Sequence, residues 1–323
     1  MQPGPDTLRL VGDVGGTNAR FALLDDFGHL HSARTLPTAD HADLAAAVQA
    51  YLAQLASRPI PLREAAIAIA NPIEGDWLQM TNGPWRFSIE ATRQVLGLRR
   101  LCMLNDFEAL ALAVPALGGD QLDAVGGGST VDRAPRVLIG PGTGLGMASL
   151  VCGHDGRWIA VPGEGGHATA APTCEREADI LRVLWKQFDH VSVERVVSGM
   201  GLENLYRAIA TLDGVPAQSL SAAQISQKAL AGSDAQCVEA LQRFCALLGS
   251  AAGNLALTLG ARGGVYVGGG IVPKLGPYFA ASPFRAAFED KGRYRDYLGR
   301  IPTFVIRAEE PALLGAARAL EQD

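Results

Sequence analysis

The sequence predicts an α/β protein that is built from two lobes with a cleft between them. A strand, a glycine turn and a second strand occur twice, over residues 8–25 and again over residues 136–151. Continuous apolar runs such as residues 65–70 are typical of strands that are buried on both faces of a sheet. Because the chain has 323 residues, more than one core usually accommodates, two lobes and a cleft are expected.

The first part of the chain predicts a meander of strands, a helix and two further strands. Short aliphatic runs separated by turns that contain glycine are typical of strands. The strands predicted here are residues 8–13, 19–25, 30–36, 65–70 and 101–104. A helix is expected between the third and fourth strands, from about Asp40 to Ala56.

The second part of the chain is richer in helices. Helices are predicted at residues 175–188, 201–212, 234–259 and 311–322, and after a capping box formed by Ser221 and Gln224. Strands are predicted at residues 136–139, 147–151, 265–267 and 303–307. The last helix could return to the first lobe. We therefore assign residues 1–112 with 304–323 to a small α/β domain, and residues 113–303 to a large α/β domain.

Composition limits the partners and the location that are expected. The net charge of −5 and the lack of a dense run of Lys and Arg argue against nucleic-acid binding, which depends on clustered cations. No apolar run reaches membrane length, and the first residues lack the basic start and apolar stretch of a signal peptide. We expect a cytoplasmic protein that binds a small ligand, and neither nucleic acid nor a membrane.

The cysteines predict thiols rather than a disulfide framework or a metal site. The chain has five cysteines, an odd number, and no close pair such as C-x-x-C. Reduced and mostly buried thiols are expected at Cys102, Cys152, Cys174, Cys237 and Cys245. A zinc site is not expected, because Cys174 is the single cysteine near the imidazole of His167.

The turn after the first strand predicts a site for phosphate and a metal ion. Glycine lets backbone N–H groups approach a polyphosphate closely. Asp13, at the end of the strand, is suited to hold Mg²⁺ directly or through its waters. The candidate residues of this turn are Gly12, Asp13, Gly15, Gly16, Thr17 and Asn18.

A second glycine turn follows the strand at residues 136–139. Its glycines do not fit the G-x-G-x-x-G dinucleotide fingerprint, because the spacing differs and another strand follows. The candidates are Gly142, Thr143 and Gly144. The hydroxyls of Thr17 and Thr143 are suited to grip phosphate oxygens, although two ordinary tight hairpins are the alternative. A third glycine run, Gly268 to Gly270 after another strand, favours the phosphate interpretation.

Two further segments carry groups that suit a substrate with hydroxyls. Asn105 and Asp106 follow a strand directly, at the end where α/β sheets present functional groups. Asp106 is placed to accept a proton from a substrate hydroxyl, or it merely caps the helix that starts near Phe107. Glu164 and His167 share one turn, and a carboxylate beside an imidazole suits a polyhydroxylated ligand.

Seven ordered segments resemble one family over nearly the whole chain. They are Gly12 to Arg20, Thr81 and Asn82 with Trp85, Asn105 to Phe107, Gly140 to Gly146, Pro162 to His167, Glu194 and Arg195 with Ser198 and Gly199, and Gly268 to Pro273. The chain resembles the bacterial ATP-dependent glucokinases of the hexokinase, heat-shock protein and actin ATPase superfamily. The resemblance implies a two-lobed, actin-like ATPase (ribonuclease H-like) fold with a central cleft.

The resemblance also implies roles for individual residues. The residues that it assigns to the sugar are Asn105, Asp106, Glu164, His167 and Glu194, with Asp106 as the catalytic base. The turns at Asp13 to Asn18 and Gly142 to Gly144 then hold the phosphates of Mg·ATP, and Gly268 to Ile271 border the adenosine. A related group of repressors, open reading frames and kinases carries a cysteine-rich zinc motif that is missing here, so ATP and Mg²⁺ are expected without zinc. A homodimer is also implied.

The expected activity is a glucokinase that binds glucose between its lobes and phosphorylates the 6-hydroxyl. The runner-up within the kinases is a broader hexokinase, mannokinase or fructokinase, because the same carboxylates suit several hexoses. Two alternatives come from a different class. The first is a sugar-sensing regulator, which usually carries a DNA-binding extension. The second is an actin-like ATPase that uses nucleotide as a switch, which would not need the turn of Glu164 and His167.

Overall fold

The computed structural model describes residues 8–55 and 61–322, and its chain divides into two units. The first unit comprises Met1–Leu117, Arg157–Pro162 and Ala308–Asp323. The second unit comprises Gly118–Gly156 and Gly163–Arg307. The sequence prediction divided the chain after residues 112 and 303 and did not include the segment at 157–162 in the first domain. Each unit is described by itself below.

The described residues form the following strands and helices. The strands are β1 (Arg9–Val14), β2 (Asn18–Leu24), β3 (Leu30–Pro37), β4 (Glu64–Ile69), β5 (Trp77–Gln79), β6 (Arg86–Ser88), β7 (Arg100–Asn105), β8 (Leu122–Val125), β9 (Arg136–Pro141), β10 (Leu145–Cys152), β11 (Trp158–Gly163), β12 (Val265–Val267) and β13 (Thr303–Ile306). The helices are α1 (Leu44–Leu55), α2 (Ile89–Val95), α3 (Asp106–Ala113), α4 (Glu175–Leu184), α5 (Gly199–Leu212), α6 (Ala222–Leu230), α7 (Ala235–Leu259), α8 (Pro277–Ala281), α9 (Phe284–Glu289), α10 (Arg295–Gly299) and α11 (Pro311–Ala319).

The first unit is built on a five-stranded sheet in the order β3-β2-β1-β4-β7. Strands β1 and β2 form an antiparallel hairpin in which Val14 pairs with Ala19. Strands β1, β4 and β7 run parallel, so their carboxyl ends lie at one edge of the sheet. Every residue of β4 is buried, which confirms the strand predicted from the apolar run at residues 65–70.

Helix α11 packs closely on helix α3 in the first unit. A Cβ at Gly315 would overlap the carbonyl oxygen of Ala109, so glycine permits the close approach of the two helices. Since α3 begins at Asp106, this contact supports the helix that carries a predicted site residue.

The second unit carries a sheet in which strands follow the order β10-β9-β12-β13-β8. Strands β9 and β10 form an antiparallel hairpin in which Pro141 pairs with Leu145. Strands β9, β12 and β13 run parallel, and β8 is antiparallel to β13. An antiparallel hairpin followed by parallel strands therefore occurs in both units. This confirms that residues 8–25 and 136–151 share one architecture.

Helix caps set several of the predicted boundaries. Asp234 caps α7 by accepting a hydrogen bond from the Cys237 N–H (3.0 Å), and α7 ends at Gly260, which has a left-handed backbone. The capping box of Ser221 and Gln224 is present at the start of α6, as predicted.

Other boundaries were wrong for local reasons. Helix α1 begins at Leu44 rather than Asp40, because residues 38–40 form a 3₁₀ turn and the Asp43 carboxylate accepts a hydrogen bond from the Ala46 N–H (2.8 Å). Its predicted end at Ala56 lies outside the described residues. Helices α4 and α11 end four and three residues before the predicted ends, at Leu184 and Ala319. Strands β5, β6, β8 and β11 were not predicted.

The cysteines are less buried than expected. Cys237 and Cys245 are buried, Cys174 is exposed, and the other two are half-buried. All five are free thiols. Within the part of the chain that the structure describes, no helix has both the length and the apolar character needed to cross a membrane.

Candidate active site

The first unit places polar side chains at the carboxyl edge of its parallel strands. Asp13 is the second-last residue of β1, Asn71 follows β4, and Asn105 ends β7. Because these strands are neighbours and run in one direction, their ends lie side by side. The predicted site residues of this unit therefore share one edge of the sheet.

Asp13 presents a partly buried carboxylate at this edge. Its side chain is 22% exposed, and its Oδ2 lies 3.4 Å from Nη1 of Arg20. Arg20 also faces Glu310, with 3.6 Å between Nε and Oε1. Burial raises the pKa of the Asp13 carboxyl above its ordinary value, and the Arg20 guanidinium opposes that shift.

The surroundings of Asp13 fit a magnesium ion that arrives with a polyphosphate. Mg²⁺ is usually bound by one or two carboxylates together with substrate phosphates, and it retains several waters. Across residues 8–55 and 61–322, no group of three or more His, Cys, Asp and Glu side chains is arranged to hold a metal ion. A single carboxylate beside a glycine turn suits the shared mode of binding.

The first glycine turn spans residues 15–18 and is fixed by backbone contacts. The Gly15 N–H donates to the Asn18 carbonyl (2.9 Å), and the Thr38 hydroxyl donates to the Gly16 carbonyl (2.8 Å). A Cβ at Gly16 would overlap the Asn82 carbonyl, so the turn needs glycine there. Thr17 is exposed at the tip.

Gly12 has a different environment from the other glycines of this motif. It is buried inside β1, and a Cβ there would lie 2.7 Å from a methyl carbon of Ile67 and 2.9 Å from the ring of Phe21. Core packing therefore explains the absence of a side chain at Gly12.

Asn105, and not Asp106, caps helix α3. The Asn105 Oδ1 accepts hydrogen bonds from the N–H groups of Phe107 (2.9 Å) and Glu108 (3.4 Å), and the Glu108 carboxylate accepts from the Asn105 N–H (3.3 Å). The alternative interpretation, in which Asp106 merely caps the helix, is therefore wrong. Asp106 is the first helical residue, and its Oδ1 accepts from the Phe107 N–H (2.9 Å).

A chain of polar contacts ties Asn105 to the segment after β4. The Asn105 amide donates to the Asn71 carbonyl (3.4 Å). The Asn71 side chain in turn accepts from both the N–H and the hydroxyl of Thr81, at 2.9 and 2.8 Å. The residue after Thr81 packs on the first glycine turn, so these contacts connect the turn with the start of α3.

The second unit presents backbone rather than acidic side chains at the matching edge of its sheet. The Gly142 N–H donates to the Gly144 carbonyl (2.8 Å), which closes a turn whose tip, Thr143, is exposed. The Gly199 N–H at the start of α5 donates to the Gly142 carbonyl (2.9 Å). The amino end of α5, capped by Ser198, therefore abuts this turn.

The segment after β12 lies against the same turn. The N–H of Gly268 donates to the Ile139 carbonyl (2.9 Å), and the N–H of Ile271 donates to the Pro141 carbonyl (3.3 Å). Gly269 has a φ of +78°, and a Cβ there would overlap the Pro141 carbonyl. Two glycine segments that are distant in sequence are thus brought together.

Glu194 connects the second glycine turn with the predicted sugar turn. Its Oε2 accepts a hydrogen bond from the Leu145 N–H (2.9 Å), directly after Gly144. Its own N–H donates to the Gly166 carbonyl (2.9 Å). Residue spacing gave no signal for Glu194, and the family resemblance alone identified it.

The turn at residues 164–167, which the sequence analysis predicts to contact a sugar, presents the side chains of Glu164 and His167 on the surface. Residues 165–167 form a 3₁₀ turn in which the His167 N–H donates to the Glu164 carbonyl (3.0 Å). A Cβ at Gly166 would overlap the Leu145 carbonyl, which fixes the turn against the second hairpin. Glu164 and His167 are both exposed, so their polar atoms are open to a ligand.

Each unit thus gathers one set of the predicted site residues. The first set consists of Asp13, the turn at residues 15–18, Asn105 and Asp106. The second set consists of the turn at residues 142–144, Glu164, His167, Glu194 and the segment at 268–271. Backbone N–H groups in glycine turns bind phosphate oxygens, and carboxylates and imidazoles bind hydroxyl groups.

Comparisons with known proteins agree with this chemistry. The glucokinase family model matches residues 10–323. A glucokinase of Chromobacterium violaceum is 55% identical over 312 residues, which cover 97% of this chain and 89% of the relative. A glucokinase of Aromatoleum aromaticum is also 55% identical, and the match covers 97% of this chain and 94% of that relative. A crystal structure of a glucokinase from an Antarctic psychrotroph superposes with a TM-score of 0.89 at 37% identity, covering 98% of this chain and 99% of the other. The fold is the actin-like ATPase fold, and the chain belongs to the glucokinase family.

Proposed function

We propose that this protein is a glucokinase that transfers the γ-phosphoryl group of Mg·ATP to the 6-hydroxyl of D-glucose. The products are glucose 6-phosphate and ADP. The observation that carries the proposal is Glu194, whose backbone and carboxylate join a turn suited to hydroxyl groups to a turn suited to phosphate. The names of relatives at 55% identity support the same activity.

In this proposal, the sugar is held by five side chains. They are Asn105, Asp106, Glu164, His167 and Glu194. The exposed Glu164 carboxylate and His167 imidazole bind hydroxyl groups of glucose. The Glu194 carboxylate already accepts one backbone hydrogen bond and has further lone pairs for a sugar hydroxyl.

Asp106 serves as the base. Its carboxylate takes the proton of the 6-hydroxyl while a bond forms between O6 and the γ-phosphorus and the bond from that phosphorus to the β-phosphate oxygen breaks. Because the transition state of phosphoryl transfer is usually loose, the proton can leave late and an ordinary aspartate suffices. Asp106 is the first residue of α3, at the helix end where a negative charge is favourable.

The nucleotide is held by glycine turns. The turns at residues 15–18 and 142–144 bind the phosphates through N–H groups and through the hydroxyls of Thr17 and Thr143, and the segment at 268–271 borders the adenosine. Asp13 would hold the magnesium ion, directly or through water. When bound, Mg²⁺ neutralises charge on the phosphate oxygens. The guanidinium of Arg20, which also faces Glu310, forms an ion pair with the Asp13 carboxylate.

A broader specificity is the second candidate. The exposed pair of Glu164 and His167 does not by itself distinguish glucose from mannose or fructose, since each offers several hydroxyl groups. We further propose a homodimer in the cytoplasm, without zinc. Five free thiols suit a reducing compartment.

A coupled assay for glucose 6-phosphate with Mg·ATP tests the proposal. Fructose, mannose and a control without sugar are run in parallel. Strong turnover that depends on glucose is the expected result. Turnover with another hexose but not with glucose would show that this hexose is the substrate. Hydrolysis of ATP without sugar would contradict the proposed kinase activity.

A further inference from the structure

The second unit contains a cavity of about 650 Å³ away from the glycine turns. We call it the amino-edge cavity, and its walls include Gly128, Ser129, Arg262, Tyr297, Gly299 and Arg300. Three wall segments lead into parallel strands, since residues 128–131 precede β9, Arg262 precedes β12 and Arg300 precedes β13. The glycine turns follow the carboxyl ends of β9 and β12. The cavity therefore lies at the opposite edge of the sheet from the proposed nucleotide site.

Backbone contacts fix the walls of the amino-edge cavity. The Ser129 N–H donates to the Arg300 carbonyl (3.2 Å), and the Val131 N–H donates to the Arg262 carbonyl (3.0 Å). Gly128 has a φ of +98°, and a Cβ there would lie 2.6 Å from the Arg300 carbonyl oxygen. Because these bonds hold the three segments together, the cavity is formed before any ligand arrives.

The side chains that line the cavity offer donors and positive charge. Among the residues that the structure describes, none pairs with the guanidinium of Arg262 or Arg300, or with the hydroxyl of Ser129 or Tyr297. The lining contains no Asp or Glu from the described part of the chain. Two guanidinium groups and two hydroxyl groups, all able to donate, therefore line the cavity without a side chain that carries negative charge.

This arrangement matches the chemistry of a phosphate ester. Two guanidinium groups balance a phosphate dianion, and the planar fork of arginine binds two phosphate oxygens at once. The volume lies in the range of roughly 300–1,000 Å³ that is typical of sites for small organic ligands. Such a volume exceeds what a free phosphate ion needs, and the ring of Tyr297 offers a flat surface to an organic group.

We propose that the amino-edge cavity binds a phosphorylated metabolite of the size of a sugar phosphate. Arg262 and Arg300 hold its phosphate, with Ser129 as an additional donor. Its organic part lies against Tyr297, where Gly128 and Gly299 leave room. This site is separate from the proposed active site and does not depend on it.

Calorimetric titration of the full chain with fructose 6-phosphate tests the proposal. Glucose and a non-hydrolysable ATP analogue are present throughout, so that the proposed active site is filled. We expect saturable binding, and a loss of affinity of about tenfold or more in the Arg262→Gln/Arg300→Gln variant, since hydrogen bonds to charged groups are the stronger ones. Arg293→Gln is the matched control, because Arg293 is exposed nearby but does not line the cavity.

Three results would overturn the proposal. They are the absence of saturable binding, equal losses in Arg293→Gln and the double variant, and inorganic phosphate that binds as tightly as fructose 6-phosphate. Thermal unfolding of each variant verifies the fold, and both substituted arginines are exposed. Glucose phosphorylation without fructose 6-phosphate is measured separately, so its absence in the wild type would count against the glucokinase alone.

Discussion

The two units use the same strand pattern but present different chemistry at the carboxyl edge of their sheets. In both, an antiparallel hairpin with a glycine turn lies beside parallel strands. In the first unit that edge carries the side chains of Asp13, Asn71, Asn105 and Asp106. In the second unit it carries glycine segments after β9 and β12. At this edge the first unit therefore presents carboxylate and amide side chains beside its glycine turn, whereas the second unit presents mainly backbone groups.

The hairpins differ in where their carboxylate comes from. Asp13 belongs to its own hairpin, next to the turn at residues 15–18. The second hairpin has no acid in β9 or β10, and it receives Glu194 from 49 residues further along the chain. The Glu194 carboxylate accepts a hydrogen bond from the turn itself, so it supports the geometry of that turn. The Asp13 carboxylate instead forms an ion pair with Arg20. Substitutions at these positions should separate the two duties.

The largest effect is expected for Asp106→Ala. Turnover should fall by roughly two to four decades, the usual contribution of a general base. The cap of α3 is Asn105, so the thermal unfolding temperature should change little. Turnover is measured with glucose and Mg·ATP, and Asp106→Asn is the matched control, because it keeps the shape but cannot take the proton. Near-normal turnover in either variant would remove Asp106 from its role.

The second largest effect is expected for Asp13→Asn, which should lower the affinity for Mg²⁺. If Asp13 holds the ion through water, the apparent Mg²⁺ affinity should fall by about 10- to 100-fold, as for other outer-shell partners. The measurement is turnover against free Mg²⁺ at saturating ATP. An unchanged Mg²⁺ dependence would assign the ion to another group.

The same variant makes a prediction about pH. Burial raises the folded pKa of Asp13 above the ordinary 3.8, so the folded state binds more protons than the unfolded chain between these two values. The stability that the raised pKa of Asp13 contributes at low pH is therefore lost as the pH rises through that window. At pH 7 the Asp13→Asn protein without ligands should be at least as stable as the wild type in thermal unfolding, and a marked loss of stability would contradict this.

Glu194→Gln should have a moderate effect on both substrates. Glutamine can still accept from the Leu145 N–H, but it lacks the charge that strengthens this bond and a bond to a sugar hydroxyl. We expect KM for glucose and for ATP to rise together by about tenfold. Glu175→Gln, an exposed position in the same unit, is the control. A rise in KM that is confined to glucose would show that Glu194 does not support the turn at residues 142–144.

The smallest effect is expected from substituting alanine for each of two neighbouring glycines, Gly269 and Gly270. Gly269→Ala would place a Cβ on the Pro141 carbonyl at a positive φ and should cost about 1–3 kcal/mol of unfolding free energy. Gly270→Ala meets no atom within 4 Å and should stay within about 0.5 kcal/mol. Chemical denaturation measures the unfolding free energy of both variants. Equal costs would mean that the close approach at Gly269 is not required.

Local signals in the sequence predicted much of the fold. Both glycine hairpins, the buried strand β4, the start of α7 near residue 234 and the capping box at Ser221 depend on residues within a few positions of one another. Their physical causes are therefore visible in short windows. Strands β5 and β6 have three residues each, which is too few to show an alternation.

Local sequence patterns could not predict the contacts between distant segments. The bond from the Leu145 N–H to Glu194 and the packing of Gly16 on Asn82 depend on tertiary structure. The sequence did suggest that a helix starts near Phe107, but it offered Asp106 as the possible cap, whereas the cap is Asn105. Both residue types cap helices well, and the backbone position alone separates them.

The packing of Gly315 on Ala109 has a consequence for the order of folding. Helix α3, which begins with Asp106, is covered by a helix that the chain supplies about 200 residues later. Contacts of such long range form slowly, although the loop between them adds little to the equilibrium cost. During refolding, local helices should return early and phosphorylation late. The appearance of turnover would thus report that the two ends of the first unit have met.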